Sequence, residues 1–162
     1  MDTSIITPQI HPEAKGGDRY LKFQLDARTP AAISMESIQE VLIVPTERIT
    51  LMPNMPECVI GLWNRRNHIV WVIDLAQLLG LQPVDANSQH YQIIMLRVGE
   101  VRLALIVQEI KAVTRFTQLS IQSPDTSVSI LPYLEGCVWH EQEQFLVLNA
   151  EAIIHSPILY NN

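Results

Sequence analysis

Apolar and polar residues alternate in short runs along this chain, a pattern typical of half-buried β-strands. Alternate residues are apolar in Tyr20–Leu25, and a weaker strand is predicted around Ala31–Ser34. His90–Val98 and Val101–Val107 are apolar at nearly every position, which predicts strands buried on both faces. The Gly99-Glu100 pair between them predicts a type II′ hairpin turn, because glycine accepts a positive φ at the first position.

The stretch Val59–Gly80 has the same layout as a stretch near the C-terminus. Gly61 stands thirteen positions before Asp74, and Gly136 stands thirteen positions before Asn149. Between glycine and polar residue, each copy has an apolar strand, a polar turn and a second apolar strand. Asp74 and Asn149 are predicted to cap short helices, because their side chains can accept hydrogen bonds from the first free helical N–H groups.

The repeat extends upstream in both halves of the chain. Ile38–Val41 in the first half is echoed by Val107–Ile110 in the second, and Tyr20 and Tyr91 open the corresponding first strands. Two copies are too few for a solenoid. Short strands, tight turns and few helices instead predict a mainly β fold, built of two small barrels packed on each other.

Length and composition set the domain organisation. The chain has 162 residues, of which 48% are hydrophobic and 17% are charged, enough apolar surface for a shared core. Residues 1–18 are predicted to be a flexible tail, 19–156 a single domain made of two barrel subdomains, and 157–162 a second tail. The N-terminus lacks the pattern of a secretion signal, and no apolar run approaches the roughly 20 residues of a membrane span. A cytoplasmic protein that does not insert into the membrane is expected.

Little in the sequence points to catalysis. The net charge of −6 leaves no basic stripe for nucleic acid. The five histidines are scattered without metal-ligand spacing, and there is no phosphate-binding glycine loop or nucleophile elbow. We therefore expect no enzyme, no metal and no cofactor, although a triad assembled in space leaves no sequence motif. Cys58 and Cys137 are expected to be buried thiols, with a disulfide between them as the alternative.

The most polar turn of the first repeat is Arg65–His68, and it has two interpretations. It is either a solvated hairpin tip or a recognition site, since arginine is favoured at protein interfaces and binds carboxylates through two N–H groups. Trp63 and Trp71 flank the turn, and core packing is expected for at least one of them. The same expectation applies to Trp139 in the second repeat.

These residues also resemble a known family. The run Gly61–Arg66, followed by Ile69–Leu75, is similar to the G-x-x-N-x-R-G-x-x-x-P-V-x-D-L signature of the CheW-like domain. The resemblance extends from Tyr20 to Ser156. Its flanking parts are Ile38–Val41, Leu51–Pro56, Ala104–Val107 and Leu134–Gly136.

The resemblance implies two five-stranded SH3-like barrels around a shared core, in agreement with the internal repeat. It also implies a non-enzymatic adaptor that couples methyl-accepting chemoreceptors to a CheA-type histidine kinase in chemotaxis-like signalling. The adaptor would bind the kinase's regulatory domain, itself CheW-like, and the receptor's cytoplasmic tip. Weak contacts repeated through an array at the inner membrane face gain strength by effective concentration.

The resemblance also assigns roles to residues of this chain. Receptor contact is assigned by position to Ile38, Glu40, Arg66 and Asn67. Kinase contact is expected from apolar barrel rims, taken to be Val41, Leu42, Val44 and Ile49. Structural roles are assigned to Gly61, Asn64, Asp74, Gly136 and Asn149.

Three departures from the family pattern bear on the choice of partner. Asn67 replaces the motif glycine, Trp71 replaces the motif proline, and Gln108 stands where aspartate is common. They motivate a second hypothesis, a divergent module that acts as a scaffold or decoy in another assembly. A third is a small β-barrel enzyme or ligand-binding protein, which a deep polar pocket with converging carboxylates or histidines would favour.

Overall fold

The computed structural model describes residues 4–5, 18–85, 87–116 and 127–160, and this part of the chain is mainly β. Its twelve strands are β1 Ser4–Ile5, β2 Asp18–Gln24, β3 Pro30–Ser34, β4 Ile38–Pro45, β5 Thr50–Leu51, β6 Val59–Arg65, β7 His68–Asp74, β8 His90–Val98, β9 Val101–Val107, β10 Glu109–Phe116, β11 Leu134–His140 and β12 Glu143–Leu148. Its helices are α1 Leu75–Leu78, α2 Ala150–Ile154 and α3 Pro157–Tyr160, with 3-10 turns at Met35–Ser37, Thr46–Arg48 and Leu131–Tyr133.

The strands form two sheets that exchange strands. The first has the order β1-β4-β8-β9-β7-β6-β5 and the second the order β10-β2-β3-β12-β11. The β2–β3 hairpin lies in the second sheet, but the next strand, β4, pairs with β8 in the first. In the same way, the β8–β9 hairpin lies in the first sheet and the next strand, β10, pairs with β2 in the second. This exchange ties the two halves into one structural unit.

The core is divided into three apolar clusters, as two packed barrels require. One cluster is formed mainly by side chains of the first sheet and includes Trp63, Val70 and Met95. A second cluster is formed by side chains of the second sheet and includes Phe116 and Phe145. The third and largest draws residues from both sheets and from the helices, and it forms the shared core between the halves. The predicted mainly β architecture is therefore confirmed.

The internal repeat has the same geometry in both halves. A register shift precedes Gly61 in the β6–β7 pair, and an equivalent shift precedes Gly136 in the β11–β12 pair. Each second strand then ends at a helix cap. Asp74 accepts a 3.2 Å hydrogen bond from the backbone N–H of Gln77, and Asn149 accepts a 3.1 Å bond from that of Ala152. Both predicted caps are confirmed.

The structure revises the predicted tails. Ser4 and Ile5, assigned to the flexible N-terminal segment, form β1 and pair with β4. Pro157–Tyr160, assigned to the C-terminal tail, forms α3. The polar stretch 117–129 has the composition of a loop, and residues 117–126 of it lie outside the described part of the chain. None of the helices in the described part of the chain has the length and hydrophobicity needed to cross a bilayer.

Other local predictions are confirmed. Gly99 has a φ of +61°, and Glu100 after it is not in the left-handed region, as a type II′ turn requires. Cys58 and Cys137 are buried, and neither forms a disulfide. Burial raises the pKa of the Cys58 thiol, which suits a small packing residue better than a nucleophile.

Candidate docking site at the first hairpin

A two-point ion pair lies at the open end of the first barrel. Arg65 Nε donates to Glu40 Oε1 at 3.0 Å, and Arg65 Nη2 donates to Glu40 Oε2 at 3.2 Å. The two side chains are 18% and 15% exposed, so the pair is largely shielded from water. The bond links β6 to β4, which are separated by 25 positions in sequence. A bidentate, partly desolvated pair of this kind fixes the positions of both strands.

Strand geometry explains why Arg65 points inward. After the register shift at Gly61, Trp63 and Arg65 lie on the barrel-interior side of β6, because alternate residues share a face. Trp63 is 4% exposed, and the Arg65 guanidinium lies 5.9 Å from the centre of its ring. Arg65 and Glu40 line a depression of about 200 Å³ together with Val70 and Met95. Arg65 therefore covers the apolar interior and carries a charge at the surface.

The turn beyond Arg65 presents a second cation. Arg66 and Asn67 have φ values of 52° and 67°, which makes the turn left-handed at both central positions. Asn67 replaces the glycine of the motif, and asparagine adopts this region more readily than most residues. Arginine has no such preference, so the positive φ of Arg66 costs local conformational energy. Its side chain is exposed, as predicted.

The second hairpin has the same turn with the opposite charge. Glu141 and Gln142 have φ values of 51° and 68°, matching the first hairpin. His140 occupies the position of Arg65, and its ring lies 5.5 Å from that of Phe116. Within the described residues, the basic tip is thus a feature of the first hairpin, although the two hairpins share one backbone geometry.

The four residues predicted to form an apolar rim for kinase contact are not exposed. All four are buried, with exposures between 0% and 5%: Val41, Leu42, Val44 and Ile49. Val41 packs in the shared core, because β4 is covered on both faces. Leu42, Val44 and Ile49 pack in the cluster that contains Trp63. Kinase contact by this strand stays a prediction, but these side chains do not form its surface. Ile38 is half-buried at the start of β4 and packs against the shared core.

The backbone of the neighbouring strand approaches Gly61 so closely that this position has no room for a side chain. A Cβ at this position would lie 2.1 Å from the carbonyl oxygen of Thr50 in the neighbouring strand β5. No side chain fits there without moving that strand, so the motif glycine has a steric cause. Asn64 is exposed near the hairpin tip, opposite Ile69 in the strand pairing.

Asp74 is buried and holds two segments at once. One carboxylate oxygen caps α1, and the other accepts a 2.9 Å hydrogen bond from the backbone N–H of Val84. Burial raises the pKa of this carboxyl, while the N–H groups of Val84 and Gln77 oppose the rise. These hydrogen bonds explain the structural role of Asp74, which links the start of α1 to the segment at Val84.

The outer side of the first hairpin is apolar. Ile69 is 69% exposed and Trp71 is 38% exposed. The equivalent of Trp71 in the second repeat, Leu146, is buried. Trp63 meets the expectation of core packing, whereas Trp139, at 69% exposed, contradicts it. Trp71 thus places apolar surface where the family motif has proline.

A groove of about 510 Å³ lies where the β2–β3 turn meets the segment before β8 and the first residues of β8. Asp26 and Asp85 are on its wall, but each has a local role. Asp26 Oδ1 accepts the backbone N–H of Arg28, and Asp85 Oδ1 accepts that of Asn87, both at 2.9 Å. Among the described residues, no group of three or more His, Cys, Asp or Glu side chains could hold a metal ion. The groove carboxylates therefore stabilise turns.

Comparison with known proteins agrees with this architecture. The family model described as the CheW-like domain matches residues 19–157. A probable chemotaxis protein CheW of Rhizobium etli is 27% identical over 64% of this chain and 68% of its own length. Protein PilI of Pseudomonas aeruginosa is 27% identical over 74% of this chain and 66% of its own length. The chemotaxis protein CheW of Thermotoga maritima is 24% identical over 83% and 85%.

A solved structure shares the fold. It is described as the scaffolding protein TtCheW from Thermoanaerobacter tengcongensis, and it superposes with a TM-score of 0.71 at 22% identity. The match covers 87% of this chain and 90% of that one. Family model and fold agree over almost the whole described region, and this chain belongs to the CheW-like domain family.

Proposed function

We propose that this protein is a non-enzymatic adaptor that couples chemoreceptors to a CheA-type histidine kinase. Its family and the names of its relatives support a role in chemotaxis-type signalling. The arrangement of Glu40, Arg65 and Arg66 supports a protein-docking role, because a rigid, charged turn suits recognition of a polar partner. The proposed place of action is the cytoplasmic face of a receptor array.

The observation that supports receptor contact is that two neighbouring arginines have different surroundings. Arg65 is engaged by Glu40, whereas Arg66 projects from the left-handed turn next to it. Glu40 thereby serves to fix the turn, and Arg66 is the group that reaches the receptor tip. A guanidinium there can bind carboxylates through two parallel hydrogen bonds.

Reconstitution tests this function. Receptor-containing membranes, the full-length kinase of the same genome and this protein are mixed, and the kinase recovered with the membranes is measured. The adaptor predicts kinase recruitment that depends on this protein and is reduced by Arg66→Glu. Equal recruitment with and without this protein would overturn it.

The apolar surface at Ile69 and Trp71 favours a second candidate. A divergent scaffold or decoy that serves another assembly would use this surface, which the family motif does not provide. Such a protein would fail to bind the kinase at any accessible concentration while remaining folded. The output of the pathway, whether flagellar, pilus-based or phototactic, follows from the kinase and receptor that it binds.

A further inference from the structure

The depression at the mouth of the first barrel has more cationic groups than its carboxylate neutralises. Three arginines line it: Arg65, Arg66 and Arg102. Glu40 is the acidic side chain among its lining residues in the described part of the chain, and both of its carboxylate oxygens are bound by Arg65. The charges of Arg66 and Arg102 thus stay uncompensated in a protein whose net charge is −6. An excess of cations in one depression favours an anionic ligand.

The sheet and Gln39 together place Arg102 at this depression. Arg102 lies on β9 two positions before Ala104, which belongs to the cluster that contains Trp63. Because alternate residues of a strand share a face, Arg102 lies on the barrel-interior side of the sheet. Its Nε donates to Gln39 Oε1 at 3.1 Å. Both Nη groups of Arg102 have no hydrogen-bond partner among the residues that the structure describes, so they are available to a ligand.

The strand pairing of Arg102 is unfavourable in the free protein. Arg97 of β8 lies directly opposite Arg102 in the β8–β9 register. Like charges at opposite positions destabilise a sheet. Within the described residues neither guanidinium has a carboxylate partner, since Arg97 Nε donates to the carbonyl oxygen of Gly99. A local arrangement that lowers stability is expected at a functional site, and a bound anion would relieve this repulsion.

The size and the floor of the depression indicate the kind of anion. Its volume of about 200 Å³ is below the roughly 300–1,000 Å³ of pockets that enclose small-molecule ligands. Val70 and Met95 are buried beneath it and offer an apolar surface to methylene groups. His68 lines it as well and can donate a hydrogen bond from its ring. A single acidic side chain of a partner protein fits this volume and this chemistry.

We propose that this depression binds one acidic side chain of the receptor's cytoplasmic tip, and that Arg66 and Arg102 bind its carboxylate. The identity of the partner rests on the proposed function, because Arg66 and Glu40, to which receptor contact is assigned, line the same depression. The inference adds Arg102 to the receptor contact, with Gln39 as its positioning residue. Guanidinium groups form short, charge-assisted hydrogen bonds to carboxylates, often in pairs.

Neutralisation of Arg102 tests the pocket. Arg102→Gln should weaken binding to receptor-containing membranes roughly tenfold in co-sedimentation, because a hydrogen bond to a charged group is lost. Its melting temperature should equal or exceed that of wild type, because the repulsion with Arg97 is removed. A merely structural arginine would instead lower the melting temperature when replaced. Arg28→Gln, on the exposed β2–β3 turn, makes the same change in net charge and should stay within roughly twofold of wild type.

A second variant tests the pocket without changing its charge. Gln39→Ala removes the side chain that orients Arg102 and leaves every cation in place. It should weaken receptor binding roughly threefold, because the guanidinium must then be ordered on binding. Gln39 is exposed, so the fold should be retained.

The occupant of the pocket is identified on the receptor. Each Asp or Glu of the receptor's cytoplasmic tip is replaced in turn by Asn or Gln, and binding is measured with wild-type protein and with Arg102→Gln. For the side chain that enters the depression, the receptor change should weaken binding to wild type roughly tenfold and to Arg102→Gln no more than roughly twofold. Independent effects at every receptor position would overturn the pairing.

The outcomes separate this inference from the adaptor function. Weaker receptor binding by folded Arg102→Gln, coupled to one receptor carboxylate, supports the pocket. Receptor binding equal to wild type by Arg102→Gln and Gln39→Ala overturns it, and kinase recruitment that still depends on this protein then leaves the adaptor function standing. Absence of receptor binding by the folded wild-type protein overturns both.

Discussion

Arg65 and Glu40 form a bidentate ion pair, with N–O distances of 3.0 and 3.2 Å, across the mouth of the first barrel. The pair joins the hairpin that carries the Arg66 turn to β4, which starts at Ile38. Glu40, to which the resemblance assigns receptor contact, is therefore bound within its own chain. Its carboxylate already has a cation, and removing that cation would leave a shielded charge without compensation.

A double-mutant cycle tests the energetic link between these two residues. Glu40→Gln and Arg65→Gln should each destabilise the fold, and the double variant should lose less than the sum. We expect a coupling of about 1–2 kcal/mol, because the pair is bidentate and shielded. Urea unfolding of the four proteins measures it. A coupling below about 0.3 kcal/mol would place the pair among solvated surface contacts.

Charge reversal at Arg66 should separate function from folding. Arg66→Glu should lower receptor binding roughly tenfold or more, because it puts a repulsive charge at a polar contact. Its free energy of unfolding should stay within about 0.5 kcal/mol of wild type, since the side chain is exposed. Co-sedimentation with receptor membranes and thermal melting measure the two effects.

The matched control for that reversal is Arg28→Glu, on the exposed β2–β3 turn. It makes the same change in net charge away from the first hairpin. If both reversals reduced receptor binding alike, the effect would be one of overall charge and the Arg66 site would be rejected.

Gly61→Val should severely destabilise the protein. Its Cβ would lie 2.1 Å from the Thr50 carbonyl oxygen, and that backbone cannot rotate away. We expect a loss of about 3 kcal/mol or more, or failure to fold. Gly99→Ala is the control, because its Cβ would have no neighbour within 4 Å and would incur only the strain of a φ of +61°. Equal melting temperatures for Gly61→Val and wild type would refute the close-approach account.

Asp74→Asn should change the pH dependence of stability. Burial raises the folded-state pKa of Asp74, so the folded protein binds this proton more tightly than the unfolded chain does. The resulting stabilisation is complete below the unfolded pKa of about 4 and is lost as pH rises through the folded value. The free energy of unfolding of Asp74→Asn relative to wild type should therefore increase from acid toward neutral pH. Denaturant titrations at several pH values measure this difference, and a constant difference would contradict the assignment.

The fold was largely predictable because it rests on local patterns that recur. The spacing from Gly61 to Asp74 and from Gly136 to Asn149 predicted two equivalent hairpins with capped helices, and both are present. The exchange of β4 and β10 between sheets was not predictable, since pairing of distant strands leaves no local pattern. β1 was also missed, because a two-residue strand is too short to show alternation.

The local geometry of the first hairpin was predicted in outline and missed in detail. The polar turn at Arg66 and Asn67 was identified, and the left-handed geometry there matches the expected tolerance of asparagine. The pairing of Arg65 with Glu40 was missed, although alternation from Trp63 could have placed Arg65 on the inner face. The buried side chains of Val41, Leu42 and Val44 were taken for a rim, because a sequence does not distinguish apolar residues that line a core from those that line an interface.

Titration calorimetry of the full-length CheA-type kinase against this protein and against Arg66→Glu tests the central claim most directly. The adaptor account predicts micromolar or tighter binding by both, because the Arg66 turn is reserved for the receptor. Absence of binding by folded wild-type protein at high concentration would contradict the account.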